Sequence, residues 1–133
     1  IFTLTKVGYF EEKKVNIRKF VVGALHSLFL SDQNEVYVFG SRGCSQFGCD
    51  DCREYLQCKG EKIEMWPDEE QEQKTPIKVV DIECGDYFNV CIDDRNNFVV
   101  FGGNRRGEIK ALLSSNQTCV TKPIYVQTKR FKK

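Results

Sequence analysis

The chain has 133 residues, of which 41% are apolar and 29% are charged, and its formal net charge is +1. This length supplies one ordinary domain or a few repeat units, and the composition is that of a folded protein. The small net charge argues against nucleic-acid binding, and no apolar run approaches the roughly 18 residues that span a bilayer. We therefore expect a single segment over residues 1–133 that binds neither nucleic acids nor membranes.

An internal repeat appears when each residue is compared with the residue 62 positions further on. "VVGALHSLFLSDQNEVYVFG" starts at Val21, and "IECGDYFNVCIDDRNNFVVFG" starts at Ile82. Apolar positions match apolar ones and turn positions match turn positions over about 25 residues. The pairs with identical residues include Gly23 and Gly85, Phe39 and Phe101, and Gly40 and Gly102. The sequence thus predicts repeat 1 at about 15–76 and repeat 2 at about 77–123.

Each repeat has the pattern of short strands. In the second, "IKVVDIEC" alternates in polarity, and the apolar runs "FNVCI" and "FVVFG" flank a polar turn at residues 93–97. Residues 31–35 form the matching turn of the first repeat, and Gly23 and Gly85 separate strand one from strand two. About four short strands per unit predict an all-β fold of antiparallel four-stranded blades of a β-propeller.

The repeat resembles that of the regulator of chromosome condensation family. The matching segments are "GALHSLFL", "EVYVFGSR" and "SQFG" in the first copy, and "ECGDYFNVCI", "FVVFGGN" and "RGEI" in the second. The resemblance implies blade-building roles for His26 and Gly107 besides the paired glycines and phenylalanines. Seven such units would need about 350–420 residues, so the resemblance implies an incomplete propeller or a piece of a larger one.

The spacing between the copies is uneven. Gly40 lies 36 residues before Pro76, whereas Gly102 lies 21 residues before Pro123. If the two prolines are equivalent, repeat 1 carries a long inserted loop at residues 49–75. Residues 124–133 are then predicted to begin a further strand and to end in a basic tail.

The predicted loop contains the candidate binding residues. They are Trp66, Met65, Asp68, Glu69 and Glu70. An exposed tryptophan beside carboxylates is suited to anchor a basic partner, because aromatic side chains are favoured at the centres of interfaces. In the alternative interpretation, Trp66 folds back onto its own blade and the acidic residues form a solvated surface.

The sequence contains few features of a catalytic site or a metal site. His26 is the only histidine, so any triad would need it, yet it aligns with Phe88 and is predicted to be structural. Among Cys44, Cys49, Cys52 and Cys58 only one C-x-x-C occurs, and structural zinc sites usually join two close pairs. We therefore predict no enzyme, no metal and no cofactor. The cysteines favour a reducing compartment, the cytoplasm or the nucleus.

The resemblance implies a protein-binding module, and its best-known activity is guanine-nucleotide exchange on a Ran-like small GTPase. One alternative is a propeller that recognises substrates or partners within a larger protein, such as a HECT-type ubiquitin ligase. Another is a zinc or redox protein that uses the cysteine-rich segment.

Overall fold

A computed structural model of the chain describes residues 8–40, 57–63, 76–103 and 119–126. These residues form one short helix, α1 (Tyr9–Glu12), and eight strands: β1 (Ile17–Val22), β2 (His26–Ser31), β3 (Val36–Gly40), β4 (Gln57–Ile63), β5 (Val79–Cys84), β6 (Phe88–Asp93), β7 (Phe98–Gly103) and β8 (Cys119–Val126). The strands build two four-stranded antiparallel sheets, blade 1 (β1-β2-β3-β4) and blade 2 (β5-β6-β7-β8). The predicted four-stranded antiparallel units are confirmed.

The turns between the second and third strands show why the two repeats fold alike. The hydroxyl of Ser31 accepts hydrogen bonds from two backbone N–H groups of its turn, at 3.2 and 3.1 Å. The carboxylate of Asp93 does the same in blade 2, at 2.9 and 2.7 Å. Asn34 and Asn96 follow with φ of 61° and 62°, a left-handed conformation that asparagine tolerates better than most residues. The local sequence therefore fixes both hairpins.

The fourth strands correct the predicted loop. β4 lies inside residues 49–75, and it begins 62 residues before β8, so the repeat continues into its fourth strand. Pro76 precedes β5 whereas Pro123 lies within β8, so the two prolines are not equivalent. The different distances to the two prolines therefore do not show an insertion in the first unit.

The predicted further strand at 124–133 is also wrong in its first residues. Ile124 pairs with Val100 and Val126 pairs with Phe98, so residues 124–126 complete β8 of blade 2. Backbone pairing with β7 assigns residues 124–126 to blade 2. The spacing of glycines and prolines along the sequence does not reveal this pairing.

The two blades share one apolar core. Alternation along the strands gives each blade two faces. The back face of blade 1 consists of Leu28, Leu30, Val36 and Val38, and the front face of blade 2 consists of Ile82, Cys91, Val99 and Phe101. All eight side chains are at most 2% exposed and belong to a single cluster. The back of blade 1 therefore packs against the front of blade 2.

Candidate protein-binding surface

A buried hydrogen bond joins the blades beside this core. His26 starts β2 and Asn89 lies in β6, and the two side chains are 3% and 0% exposed. The imidazole Nε2–H donates to Oδ1 of Asn89 at 2.7 Å. Burial lowers the pKa of His26, and the hydrogen bond with Asn89 only partly opposes this, so the ring is held neutral. His26 thus contributes a buried contact between the two blades.

Two glycines allow the blades to approach at this point. A Cβ at Gly23 would collide with the imidazole of His26 and would lie 2.8 Å from the carbonyl oxygen of Gly85. A Cβ at Gly85 would collide with the ring of Phe88 in the same way. The backbone N–H of Ala24 donates to the carbonyl of Asp86 at 3.0 Å. The first turns of the two blades are therefore in direct contact.

These turns are held rigidly by the ends of the third strands. Gly40 and Gly102 have φ of 117° and 112°, values that other residues rarely adopt. A Cβ at Gly40 would collide with the carbonyl oxygen of Leu25, and one at Gly102 would lie 2.7 Å from that of Tyr87. The N–H of Gly103 also donates to the Tyr87 carbonyl at 2.7 Å. The backbone of both turns is thus fixed by close packing.

Large apolar side chains project from these rigid turns. Leu25 is 57% exposed and Tyr87 is 43% exposed, and they occupy equivalent positions, 62 residues apart. Asp86 is an exposed residue of the blade 2 turn, next to Tyr87, and its backbone carbonyl accepts the hydrogen bond from Ala24. We call Leu25, Asp86 and Tyr87 the paired-turn surface. It presents two apolar anchors and one carboxylate on a preorganised backbone, which suits a protein partner with an apolar side chain beside a basic group.

An ion-pair cluster crosses the blades on the first strands. Nζ of Lys19 in β1 lies 2.6 Å from Oδ1 of Asp81 and 3.1 Å from Oε1 of Glu83, both in β5. The hydrogen bond with Asp81 raises the pKa of Lys19, and the same bond lowers the pKa of Asp81. Arg18 donates to the Val80 carbonyl at 3.0 Å. These contacts fix the position of one blade against the other and so the position of the paired turns.

The structure describes some of the predicted site residues, and the others lie outside the described part of the chain. Those in the described part of the chain are Gly23, His26, Phe39, Gly40, Gly85, Phe101 and Gly102. Those outside it are Trp66, Met65, Asp68, Glu69, Glu70 and Gly107. The Trp66 surface therefore stays a prediction.

Sequence reasoning did not identify the paired-turn surface. The sequence feature that could have indicated this surface is the alignment of Leu25 with Tyr87. Each of them lies two residues after a turn glycine. The alignment by itself does not say that these side chains are exposed, because the first two strands around them are also apolar.

Cys84 and Cys91 are free thiols within strands, and burial raises the pKa of both. No cluster of His, Cys, Asp or Glu side chains in the described ranges is arranged to hold a metal ion. No described helix is long and apolar enough to cross a membrane.

Comparison with known proteins identifies the repeat. Residues 17–49 match the regulator of chromosome condensation (RCC1) repeat. A bifunctional serine/threonine-protein kinase/NEDD4-like E3 ubiquitin-protein ligase of Dictyostelium discoideum is 28% identical over 85 residues, which are 64% of this chain and 4% of that protein.

Solved structures share the fold. Human WBSCR16 matches with a TM-score of 0.64 and 18% identity, covering 84% of this chain and 25% of its own. Prp20p of Saccharomyces cerevisiae matches with a TM-score of 0.59 and 19% identity, covering 87% of this chain and 26% of its own. Yeast RCC1 (Prp20) bound to Kap60 matches with a TM-score of 0.58. The chain thus spans about a quarter of the solved chains that it matches.

The repeat match covers the first three strands of blade 1, and the 62-residue offset carries the same pattern into blade 2. Both sheets have the blade architecture of these propellers. Blade 1 therefore contains a segment that matches the regulator of chromosome condensation (RCC1) repeat, and blade 2 repeats its pattern and its four-stranded fold.

Proposed function

We propose that this chain is a protein-binding propeller module that engages its partner through the paired-turn surface. The observation that carries the proposal is the exposure of Leu25 and Tyr87 at equivalent positions on turns that are held by Gly40 and Gly102. Exposed apolar side chains on a rigid backbone lose little conformational entropy on binding, so their burial contributes directly to affinity. The carboxylate of Asp86 adds a preference for a basic group.

The partner class that we propose first is a Ran-like small GTPase, whose nucleotide release the propeller would accelerate. Prp20p, which shares this fold, was characterised for its binding to Gsp1p and histones. In exchange of this kind, the surface of the propeller would distort the nucleotide site of its partner. No covalent bond would be made or broken. We accordingly propose a module without catalytic side chains or cofactor, acting in the cytoplasm or the nucleus.

Nucleotide release tests this proposal. Ran and a panel of other small GTPases are loaded with fluorescent GDP, and the loss of signal is followed after the longest natural form containing this segment is added. We expect acceleration for one GTPase, and we expect the double variant Leu25→Ser/Tyr87→Ser to lose most of it. The variant Asp32→Ser, at an exposed position in the β2–β3 turn, is the matched control. Full acceleration by the Leu25/Tyr87 variant would contradict the role of the paired-turn surface.

A second candidate function is partner recognition within a larger protein. The similarity to a NEDD4-like E3 ubiquitin-protein ligase supports it, since the matched segment is a small part of that protein. Absence of acceleration on every GTPase, together with capture of a partner that the Leu25/Tyr87 variant does not retain, would favour this function. The sequence flanking the segment in its gene would then show whether a ligase domain is attached.

A further inference from the structure

One atom of the buried contact between the blades has no hydrogen bond. Nε2–H of His26 donates to Oδ1 of Asn89, and the ring is only 3% exposed. Nδ1 of the same ring is also buried, and no described residue provides a hydrogen-bond partner for it. In the neutral ring Nδ1 is an acceptor, and an unpaired buried acceptor costs less free energy than an unpaired buried charge. The site therefore accommodates the neutral ring of His26 much better than the protonated one.

Nδ1 lies where the turn between β1 and β2 meets the turn between β5 and β6. A Cβ added to Gly23 would stand 2.6 Å from Nδ1 and 2.8 Å from the carbonyl oxygen of Gly85. A proton on Nδ1 would therefore bring a positive charge to the junction of the two turns, away from water. Separation of the turns would let water reach the ring and solvate this charge. Protonation of His26 and close contact of the turns thus oppose each other.

The described groups around the ring do not compensate such a charge. The ring is approached by the two turns, by Asn89 of β6 and by the backbone of Gly40 at the end of β3. The titratable residues nearest to it on the described elements are Cys84, Asp86 and Tyr87. The last two are exposed, and burial raises the pKa of the Cys84 thiol, which keeps it uncharged. Burial lowers the pKa of His26, and the hydrogen bond with Asn89 opposes this only in part.

The turn that contains the buried ring also carries half of the paired-turn surface. Leu25 lies between Ala24, whose N–H donates to the carbonyl of Asp86 at 3.0 Å, and His26, whose ring donates to blade 2 at 2.7 Å. The N–H of Gly23 donates to the carbonyl of His26 at 2.8 Å, which ties the ring-bearing residue to the start of the turn. These bonds hold Leu25 in place beside the turn of blade 2. Loss of the contact at His26 would therefore change how Leu25 is placed relative to that turn.

We propose that His26 is a pH-sensitive switch of the paired-turn surface: the neutral ring holds the two turns together, and protonation of Nδ1 separates them and weakens partner binding. The effect on binding rests on the proposed function, whereas the separation of the turns does not. In the open state the ring has its ordinary pKa of 6.5, and in the closed state it takes up no proton. Falling pH therefore favours the open state. Below the midpoint, the fraction with closed turns should fall about tenfold for each pH unit.

Nuclear magnetic resonance of the longest natural form containing this segment tests the switch without a partner. The protein is labelled at histidine Cε1 and at the leucine methyl groups, and the signals of His26 and Leu25 are identified by their absence in His26→Gln and Leu25→Val. We expect His26 to titrate with a midpoint below 6.5 and the Leu25 methyl signals to shift with the same midpoint. A midpoint about one unit lower would mean that closed turns outnumber open ones about ten to one at neutral pH. Titration of His26 without any shift of Leu25 would overturn the proposal.

His26→Gln is the matched control, because glutamine keeps an N–H donor for Asn89 and does not titrate. Its Leu25 signals should stay in place between about pH 7 and pH 5. A shift that persists in this variant would assign the response to another group and refute the switch. If His26→Gln does not fold, Asp86→Asn decides the question in its place. The Leu25 response should survive in Asp86→Asn, and its loss there would assign the titration to the carboxylate.

Two further readouts separate the switch from acid unfolding and from the proposed function. Leu28 and Leu30 are 0% exposed in the core, so their methyl signals should stay constant while Leu25 shifts. Their loss at the same midpoint would show unfolding of the blades and overturn the proposal. For any GTPase that responds in the release assay, acceleration by the wild type relative to His26→Gln should fall about tenfold for each pH unit below the midpoint. An unchanged ratio would refute control of binding, whereas a panel without a responding GTPase would contradict the exchange function and leave the resonance result to decide the switch.

Discussion

Replacing His26 by phenylalanine removes the buried hydrogen bond between the blades while keeping a flat ring in the same position. Phe88 occupies the equivalent site in blade 2, so the backbone geometry accepts such a side chain. Oδ1 of Asn89 would lose its donor at 2.7 Å in a fully buried site. Loss of one partner of a buried hydrogen bond costs about 1–3 kcal/mol. We expect urea unfolding to show a decrease of this size in the free energy of unfolding.

A double-mutant cycle isolates the contact. Asn89→Ser introduces the residue that Ser27 provides at the equivalent site of blade 1. If the hydrogen bond couples the blades, His26→Phe/Asn89→Ser should be more stable than the sum of the single losses implies, by about 0.5–3 kcal/mol. Strictly additive losses would refute the view that this bond joins the two blades.

The pH dependence of stability provides an independent measure of the same residue. Burial lowers the pKa of His26 from its ordinary value of 6.5, so the unfolded chain binds a proton at a pH where the folded chain does not. Stability should therefore fall as the pH drops below 6.5, by about 1.4 kcal/mol for each tenfold reduction in proton affinity. His26→Gln keeps a donor but does not titrate, and it should lose this part of the pH dependence. Identical pH profiles for the two proteins would contradict the reasoning.

Three further perturbations test the surrounding structure. Gly40→Ala should lower the free energy of unfolding by about 1–3 kcal/mol, because its φ is unfavourable for alanine and the added Cβ would collide with the backbone. Gly8→Ala should change the free energy of unfolding little, because the added Cβ would make only an ordinary contact with Oε1 of Glu12 at 3.9 Å. Lys19→Met should cost only about 0.2–1 kcal/mol, since its ion pairs are solvent-exposed, and the difference from wild type in thermal unfolding should shrink in high salt. The thiol of Cys91 should react with a maleimide only under conditions that unfold blade 2, which peptide mapping by mass spectrometry would detect, because it is buried and its pKa is raised.

The repeat and most strands were predictable from sequence because they depend on local patterns. Alternating apolar residues, paired glycines and Asn-containing turns each act within a few positions, and comparison at one offset made them visible twice. The loop predicted at 49–75 is wrong because Pro76 and Pro123 are not equivalent: Pro76 precedes β5, whereas Pro123 lies within β8. β4, which consists of Gln57–Ile63, has little apolar periodicity, and its pairing with β3 establishes it. Helix α1 was not predicted, because four residues are too few for a helical period.

Some residues of the candidate site could be identified from the sequence, and others required the structure. Gly40 and Gly102 could be singled out from the repeat, since glycine recurs at this position in both units, whereas His26 was indicated by the family resemblance. The sequence did not distinguish Leu25 and Tyr87, which are exposed, from the apolar residues of the adjoining strands, which are buried.

The sequence by itself determined the hairpins, the glycine turns and the repeat of the blade, because those features follow from side-chain alternation and backbone conformation over short distances. The tertiary structure decided which face of each blade is covered, which turns carry exposed anchors and how His26 meets Asn89. Burial and hydrogen bonding across the blades join residues about 60 positions apart. Such contacts are fixed by how the sheets pack, and no local pattern encodes them.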